Sequence, residues 1–389
     1  MNTPKEIANN YIAIGKGKVN MPVAKMFVLG ILAGMFIAVG GIASATAGAA
    51  LPGAAGKIVG ACLFPGGLTM VLLAGSELFT GNCLLVIPLL KKEITIAGML
   101  KNWIIVYLGN FVGTKKGDCG DLYTVNEVPH GNVSKVWYDS PTLKMQRRMT
   151  VYTPAGYDKG KDYPVLYLLH GAGGDEDAWT TLGRAQHILD NLIATGKAKP
   201  MVVVMTNGNP NCQAAPGEWS AGQYIPSFYG YQGAKPAATM DESFPDVMNY
   251  VESHYKVAKD KAHRAICGLS MGGGHSFDIS RRFPTKFDYI GLFSAGLHVG
   301  TTGDFRSDFY KQLQGNEEAK KQLATLFKNK PKLYWIGMGK TDFLYKSSAD
   351  LRRYFDEKGY KYTYLETEGG HIWRNWRVYL TEFAQKIFK

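Results

Sequence analysis

The chain has 389 residues, which exceeds a typical single domain, so we expect two structural units. Its net charge is +12, but the lysines and arginines are spread along the chain and mixed with acids in its second part, which argues against a nucleic-acid-binding stripe. The five cysteines form no C-x-x-C pair and no His/Cys spacing suited to zinc, and a Cys212–Cys267 disulfide stays an open alternative.

Residues 1–114 have the composition of a membrane-embedded segment. They contain no aspartate and no arginine, and their acids are Glu6, Glu77 and Glu93. Residues 23–46 are apolar over a length that crosses a bilayer. Lysines flank the apolar stretches, with Lys5, Lys16 and Lys18 before the first stretch, Lys25 near its start, and Lys91, Lys92 and Lys101 before the third. The positive-inside rule places both groups in the cytoplasm and the chain after Thr114 outside, in the periplasm or the extracellular medium.

The second apolar stretch, residues 58–90, is interrupted at Pro65-Gly66-Gly67 and again at residues 75–82. Irregular backbone at membrane depth is tolerated where protein or a water-filled cavity surrounds it, so this pattern predicts a broken helix beside a pathway. The third apolar stretch covers residues 103–114. We therefore predict an all-α transmembrane segment of about three spans.

This segment resembles the formate/nitrite transporter family, through Leu73-Ala-Gly-Ser-Glu-Leu-Phe-Thr-Gly-Asn82 and the stretch from Asn102-Trp103 to Gly109-Asn110. The resemblance implies a pore of six spans built from two inverted halves, with a histidine in the second half. It covers residues 1–114, which contain no histidine. Transport by a channel subunit is therefore disfavoured, and we expect a membrane anchor, or the product of a gene fusion or of sequence assembly.

Residues 135–389 alternate between strand and helix patterns after a linker, residues 115–134, that leads into the first strand. Residues 135–154 predict two antiparallel strands around a turn at Asp139-Ser140-Pro141. Later strands are predicted at 163–170, 201–206, 289–294, 332–338 and 362–366, and helices at 185–195, 243–255, 271–283, 317–328 and 375–388. Alternation of this kind predicts an α/β fold with a mostly parallel central sheet.

A strand-like run from Arg264 leads into Gly268-Leu-Ser270-Met-Gly272, which fits the G-x-S-x-G nucleophile elbow. A strand that reverses sharply into a helix strains the backbone at the serine, and side chains two positions on either side would collide across the turn. Ser270 would then stand exposed at the end of the strand. The alternative is a glycine-rich loop with an incidental serine.

A serine nucleophile needs a base and an orienting carboxylate, since a neutral hydroxyl attacks poorly at neutral pH. Asp342 and His371 follow later predicted strands in the chain order Ser, Asp, His of the hydrolase fold. Asp342 has an alternative role as a helix cap, and His371 as a structural residue. Asp350 and Asp356 fall within a helix and are poorer candidates. The remaining histidines near strands or on the elbow helix are expected to pack or to shape the site: His170, His263, His275 and His298.

Acyl transfer also needs donors for the developing oxyanion. We expect the backbone amide of Met271 to be one donor and that of Ala172, in the turn His170-Gly-Ala-Gly-Gly174, to be the other. The turn lacks the Lys-Ser/Thr of a phosphate-binding loop. The irregular stretch 209–240 carries several aromatic residues, which favours a wall over the active site rather than a self-packed surface loop.

Four motifs together resemble the esterase D-like α/β-hydrolases, and more narrowly carbohydrate esterase family one: residues 168–174, 268–273, 339–342 and 368–377. The resemblance covers about residues 121–389. It implies Ser270 as nucleophile, His371 as general acid/base, Asp342 as orienter, and Ala172 and Met271 as oxyanion donors.

By the same resemblance the substrate is a feruloyl or acetyl ester of plant xylan. The aromatic residues Trp219, Tyr224 and Trp373 are candidate contacts for a phenolic acyl group or a sugar. The mechanism requires neither a metal nor an organic cofactor. Rivals within the fold are S-formylglutathione hydrolases and siderophore-ester hydrolases. The aromatic stretch has no obvious cationic cluster for an anionic siderophore.

Overall fold

The structure is a computed structural model that describes residues 3–50, 53–115, 120–160, 162–215, 236–300 and 308–389. The chain divides into two compact units, Met1–Asp118 and Cys119–Lys389. The division lies close to the change of composition after Thr114.

The first unit is helical throughout its described residues. Its helices are α1 (Pro4–Val19), α2 (Val23–Ala50), α3 (Gly53–Leu73), α4 (Phe79–Asn82), α5 (Val86–Leu90) and α6 (Ile96–Lys115). By length and composition, one described helix, over Val23–Ser44, is long and apolar enough to cross a membrane. The other apolar stretches are shorter, namely Ile58–Leu73, Phe79–Leu90 and Ile96–Val112. The structure thus identifies one clear membrane-span candidate where the sequence predicts three.

The predicted interruption of the second apolar stretch is wrong at Pro65, because α3 continues through it. The two helices pack closely beside Pro65: a Cβ on Gly67 would lie 2.7 Å from the carbonyl oxygen of Phe36, so α2 and α3 meet through small residues. The helix ends instead at Leu73, and Gly75 has φ +61°, a left-handed conformation that glycine adopts without strain.

Polar side chains are buried just after this break. Lys18 Nζ lies 2.8 and 2.7 Å from the carboxylate oxygens of Glu77, and Asn82 and Asn102 bond to each other at 2.9 Å. Glu77 is 4% exposed and both asparagines are fully buried. These carboxylate and amide groups therefore have partners, as burial away from water requires, whereas Oγ of Ser76 is buried without one among the described residues.

Eight strands form a single sheet among the described residues of the second unit, in the order β1-β2-β4-β3-β5-β6-β7-β8. The pairs β1/β2 and β2/β4 are antiparallel and the other pairs are parallel. The strands are β1 (Asn132–Ser140), β2 (Met145–Thr153), β3 (Val165–Leu169), β4 (Val202–Thr206), β5 (Arg264–Leu269), β6 (Tyr289–Phe293), β7 (Leu333–Gly339) and β8 (Thr363–Thr367). The predicted hairpin and mostly parallel sheet are confirmed.

Helices cover both faces of this sheet. They are α7 (Gly120–Tyr123), α8 (Ala178–Thr181), α9 (Ala185–Ala194), α10 (Met240–His254), α11 (Met271–Arg282), α12 (Phe309–Gln314), α13 (Glu317–Lys328), α14 (Tyr345–Lys358) and α15 (Trp373–Ala384). The core under α9 and α15 takes Leu166 and Leu168 from β3, and the core under α10 to α14 takes Val165, Tyr167 and Leu169. Alternate side chains of β3 thus enter opposite cores, which is why its sequence is continuously apolar.

The structure holds Cys212 and Cys267 as separate thiols, which decides against the disulfide. Cys267 lies within β5 and packs into the core beneath α9 and α15. Cys212 belongs to the loop after β4, where its carbonyl oxygen accepts a hydrogen bond from Arg147.

Candidate active site

Ser270 occupies a strained turn between β5 and α11. Its φ of +52° and ψ of −115° are unfavourable for a residue with a side chain. The turn is held by three backbone hydrogen bonds: the amide of Ser270 donates to Phe293 at 2.9 Å, and its carbonyl oxygen accepts from Gly296 at 2.8 Å and Gly274 at 3.1 Å. Bonds to β6 and to the loop after it therefore maintain the strained conformation that presents the serine.

The two glycines that flank the serine are required by close backbone approach. A Cβ on Gly268 would lie 2.5 Å from the carbonyl group of Gly272, and a Cβ on Gly272 would lie 2.4 Å from the carbonyl oxygen of His170. Contacts this short do not occur for real side chains, so only glycine fits at either position. The spacing of the motif thus has the steric cause that the sequence suggests.

Asp342 and His371 meet across the loops that follow β7 and β8. Nδ1 of His371 lies 2.9 and 3.0 Å from the two carboxylate oxygens of Asp342. The Asp342 side chain is fully buried, and 17% of the His371 side chain is exposed. Burial alone would raise the pKa of Asp342, but hydrogen bonds from His371 and from the amide of Leu344 outweigh it and hold that pKa below its usual value.

The helix-cap alternative for Asp342 coexists with its contact to His371. Its Oδ1 accepts the amide of Leu344 at 2.9 Å, just before α14 begins, while the N-cap residue Leu344 makes no side-chain cap of its own. The poorer candidates are engaged elsewhere, since Asp350 pairs with Lys346 and Asp356 accepts the hydroxyl of Tyr362. The loop with His371 is tied to the loop with Asp342 by a 3.0 Å bond from the amide of Thr341 to Gly369.

The turn after β3 lies against the nucleophile elbow. A Cβ on Gly171 would lie 3.2 Å from the Cβ of Ser270, and Gly173 adopts φ +78°. His170 is buried and positions this turn: Nδ1 lies 2.7 Å from the carbonyl oxygen of Gly171, and Nε2 lies 2.7 Å from the amide of Gly208. Since a carbonyl only accepts and an amide only donates, Nδ1 carries the proton and the ring is neutral.

One cavity of about 220 Å³ collects four of the eight predicted site residues. Ser270, His371, Ala172 and Trp373 line it, together with Gly171, Gly173, Gly174, Ala178, Leu182, Leu269 and Trp376. The predicted contacts Trp219 and Tyr224 lie outside the described residues. His263 is exposed on the surface beside Asp260, so its expected packing role is wrong.

Of the apolar wall of this cavity, sequence reasoning singled out Trp373 but not Trp376 or Leu182. Trp376 lies edge-on to His371, with ring centroids 4.9 Å apart, and to Trp373 at 5.2 Å. Leu182 precedes α9 and reaches the cavity from the other side, where its carbonyl oxygen accepts from Arg377. The two tryptophans at positions 373 and 376, three residues apart just after His371, could have indicated this wall from the sequence. No local sequence pattern indicates Leu182.

A buried polar network that the sequence analysis also missed holds the loop after β4. The guanidinium of Arg147 donates to the carbonyl oxygens of Asn207 at 2.6 Å and Asn209 at 2.8 Å. Glu176 is fully buried and accepts from Arg148 at 2.7 Å and from the amide of Ala215 at 2.8 Å. Two adjacent arginines within a predicted strand were the sequence signal for this network.

The sheet order, the strand–turn–helix at Ser270 and the position of His371 after the last strand define an α/β-hydrolase fold. A family model described as "Putative esterase" matches residues 140–387. The chain therefore belongs to this esterase family.

Relatives of known activity match parts of the chain. An "Endo-1,4-beta-xylanase/feruloyl esterase" of Xylanibacter ruminicola is 33% identical over 279 residues, which cover 69% of this chain and 33% of that protein. A solved structure named "ferulic acid esterase" is 25% identical, with a TM-score of 0.52, and covers 66% of this chain and 97% of its own. An S-formylglutathione hydrolase of Staphylococcus aureus, 19% identical with a TM-score of 0.51, covers 67% of this chain and shares the fold.

The first unit has its own relatives. A family model described as "Formate/nitrite transporter" matches residues 5–115. The "Formate channel BtFdhC" of Bacillus thuringiensis is 39% identical over 114 residues, which cover 28% of this chain and 44% of that protein. The chain thus spans about a third of the xylanase/esterase relative and less than half of this channel.

Proposed function

We propose that the chain is a serine carboxylic-ester hydrolase that acts on feruloyl or acetyl esters of xylan. The observation that carries the proposal is the pairing of Asp342 with His371, whose side chain lines the same cavity as Ser270. The similarity to a xylanase/feruloyl esterase and to a ferulic acid esterase supports the choice of acyl group and of a plant cell-wall polysaccharide as partner.

In the proposed reaction, Oγ of Ser270 attacks the ester carbonyl carbon and transfers its proton to Nε2 of His371. Asp342 accepts the Nδ1 proton in a hydrogen bond, fixes the tautomer and stabilises the imidazolium that forms. The amides of Ala172 and Met271 stabilise the oxyanion. His371 then protonates the departing sugar hydroxyl, and an acyl-enzyme remains. Water activated by His371 attacks this acyl-enzyme and releases the free carboxylic acid and Ser270.

The cavity favours an uncharged aromatic acyl group. Its described lining is formed mainly by glycine, alanine, leucine and tryptophan, and contains no lysine or arginine. A formyl group would leave most of the roughly 220 Å³ unfilled, and the anionic groups of a siderophore would find no cation in this part of the wall. These features support a feruloyl ester over S-formylglutathione and over a siderophore ester.

The experiment uses the full chain in detergent micelles, assayed with methyl ferulate, acetylated xylan, S-formylglutathione and a siderophore ester. We expect methyl ferulate to have the highest kcat/KM, and Ser270→Ala to lower it by about 10³-fold or more. The matched control is Ser253→Ala, on the exposed side of α10, which should leave the rate unchanged. Activity that survives Ser270→Ala would overturn the mechanism, and a preference for S-formylglutathione would overturn the substrate.

For the organisation of the chain, we propose a membrane anchor over residues 1–114, a linker and entry strand over 115–134 and the esterase over 135–389. Similarity of the first unit to formate channels supports membrane association. Three crossings with the lysine-rich ends in the cytoplasm would carry the esterase to the outer side. Alkaline phosphatase fused to the carboxyl terminus should then be active, and green fluorescent protein fused at the same position should not fluoresce. The opposite pattern would place the esterase in the cytoplasm.

A further inference from the structure

Two histidines and an aspartate meet at the edge of the sheet opposite the Ser270 cavity. His130 lies two residues before β1, and Asn132 pairs with Thr153 at the end of β2. The neighbouring Tyr152 pairs with Val203, the second residue of β4. This cluster therefore lies at the amino ends of the parallel strands, whereas Ser270 follows the carboxyl end of β5.

The ligand atoms in this cluster are close enough for one ion. One ring nitrogen of His130, one of His187 and one carboxylate oxygen of Asp190 all lie within 4.8 Å of one another. His130 Nδ1 is 2.9 Å from Asp190 Oδ2. His187 and Asp190 are three residues apart on α9 and so share one face of the helix. A tetrahedral ion with bonds of about 2 Å needs its ligand atoms roughly 3.3 Å apart, which small side-chain rotations here provide.

We propose that His130, His187 and Asp190 bind a divalent transition-metal ion of the zinc class, with water as the fourth ligand. Two imidazoles and one carboxylate are a donor set that suits Zn²⁺. Ca²⁺ and Mg²⁺ prefer oxygen ligands alone and fit it poorly. Ion binding replaces the hydrogen bond between His130 and Asp190 by two metal–ligand bonds.

The carboxylate of Asp190 is already oriented by groups that do not compete for the ion. Its Oδ1 accepts the amide of Gly131 at 2.9 Å and the hydroxyl of Tyr152 at 2.7 Å, and Oδ2 faces His130. Asp190 is 4% exposed. Hydrogen bonds of this kind fix the direction of a ligating carboxylate, and a buried carboxylate gains from a nearby cation.

The imidazole of His187 lacks a good hydrogen bond within the described part of the chain. Its Nδ1 is buried without a partner, and its Nε2 has only a 3.4 Å contact with the amide nitrogen of Gln186. A buried polar atom without a partner costs free energy, and a metal–nitrogen bond to this ring would relieve the deficit. The buried Nδ1 of His187, which has no hydrogen-bond partner among the described residues, distinguishes the cluster from an ordinary His–Asp pair.

The site would fasten the segment that opens the second unit to α9. The same segment is tied to α9 by a 2.8 Å bond between Asn126 and Asn191, and Asn191 also donates to the carbonyl oxygen of Thr124. A metal ion bridging His130 to His187 and Asp190 adds a stronger link beside these bonds. Its role is structural, because the Ser270 cavity lies at the other edge of the sheet.

The test uses the full chain in detergent, without a polyhistidine tag, after treatment with a chelator and dialysis. Cys62→Ser, Cys83→Ser and Cys119→Ser form the background, so that thiols do not bind zinc. Calorimetric titration with Zn²⁺ should give one ion per chain and should raise the melting temperature of the esterase unit. His130→Ala and His187→Ala should each weaken binding at least tenfold, and Tyr152→Phe about tenfold to a hundredfold.

The matched control is His263→Ala. His263 Nδ1 lies 2.8 Å from Asp260 in a similar His–Asp pair, and neither residue belongs to the cluster. The control should bind Zn²⁺ as the background does. Ester hydrolysis by His187→Ala should equal that of the background, which separates this proposal from the catalytic one. Absence of stoichiometric binding in the background, or equal affinity after His187→Ala, would overturn it.

Discussion

Nδ1 of His371 contacts both carboxylate oxygens of Asp342, at 2.9 and 3.0 Å. A carboxylate only accepts hydrogen bonds, so in the neutral ring the proton lies on Nδ1 and the lone pair on Nε2. The bond thus selects the tautomer that a general base needs. It also joins two loops that are 29 residues apart in the chain.

Asp342→Asn should lower kcat for methyl ferulate by about 10⁴-fold, because the amide favours the wrong tautomer of His371 and does not stabilise the imidazolium. Asp350→Asn is the control, since Asp350 pairs with Lys346 on α14 and should not affect kcat. Steady-state kinetics at pH 7 measures both variants. A loss of less than tenfold for Asp342→Asn would contradict the assigned role.

Gly272→Ala should lower the free energy of unfolding by about 1–3 kcal/mol, because the new Cβ overpacks against fixed backbone. The nearest atoms are the carbonyl oxygens of His170 and Leu169, at 2.4 and 2.6 Å. Gly315→Ala is the control, as its Cβ would meet Lys311 at an ordinary 3.4 Å. Urea unfolding can be followed by tryptophan fluorescence, since six of the seven tryptophans lie in the second unit. Equal stability of the two variants would contradict the prediction.

Acid should destabilise the second unit through His170. Burial lowers the pKa of His170 from its ordinary value of 6.5 to about 4. Between these values the unfolded chain binds the proton and the folded chain does not. The stabilisation is therefore complete above pH 6.5 and is lost as the pH falls towards 4, by about 3 kcal/mol in all.

His170→Gln tests this dependence, because glutamine does not titrate. Its urea midpoint should fall less between pH 7 and pH 4.5 than the wild-type midpoint does. His263→Gln replaces an exposed histidine and should retain the wild-type dependence. The prediction fails when wild type and His170→Gln lose the same stability over this range.

Trp373→Ala should raise KM for methyl ferulate about tenfold and change KM for 4-nitrophenyl acetate little, because an aromatic acyl group loses an apolar wall. The ring lines the cavity and packs edge-on against Trp179, with centroids 5.2 Å apart. Trp137→Ala, on the edge strand β1, is the control. Equal KM changes for the two esters would assign Trp373 to packing alone.

The order of strands and helices was accessible from the sequence because it rests on local patterns. Continuous apolar runs marked β3 and β4, and Gly268, Ser270 and Gly272 marked the elbow by their spacing alone. The chain order Ser, Asp, His then made Asp342 and His371 the candidates. The sequence did not predict the short helix α12, because its six residues give too weak a periodic signal.

The tertiary structure decided which side chains far apart in the sequence contact each other. Arg147 reaches the carbonyl oxygen of Asn209, 62 residues later, and no periodicity encodes that contact. No periodicity encodes the position of Leu182 in the cavity wall either. The helix α3 continues through Pro65, where small residues of α2 pack against it.

By itself, the sequence determined which residues are the candidates for the chemistry, since a nucleophile elbow requires glycines at Gly268 and Gly272 and a serine between them. Only the tertiary structure decided that His371 meets Asp342 and that His130 meets Asp190 across 60 residues. The physical reason is that steric and periodic constraints act over a few residues, whereas a hydrogen bond between loops depends on how the whole sheet orders its strands.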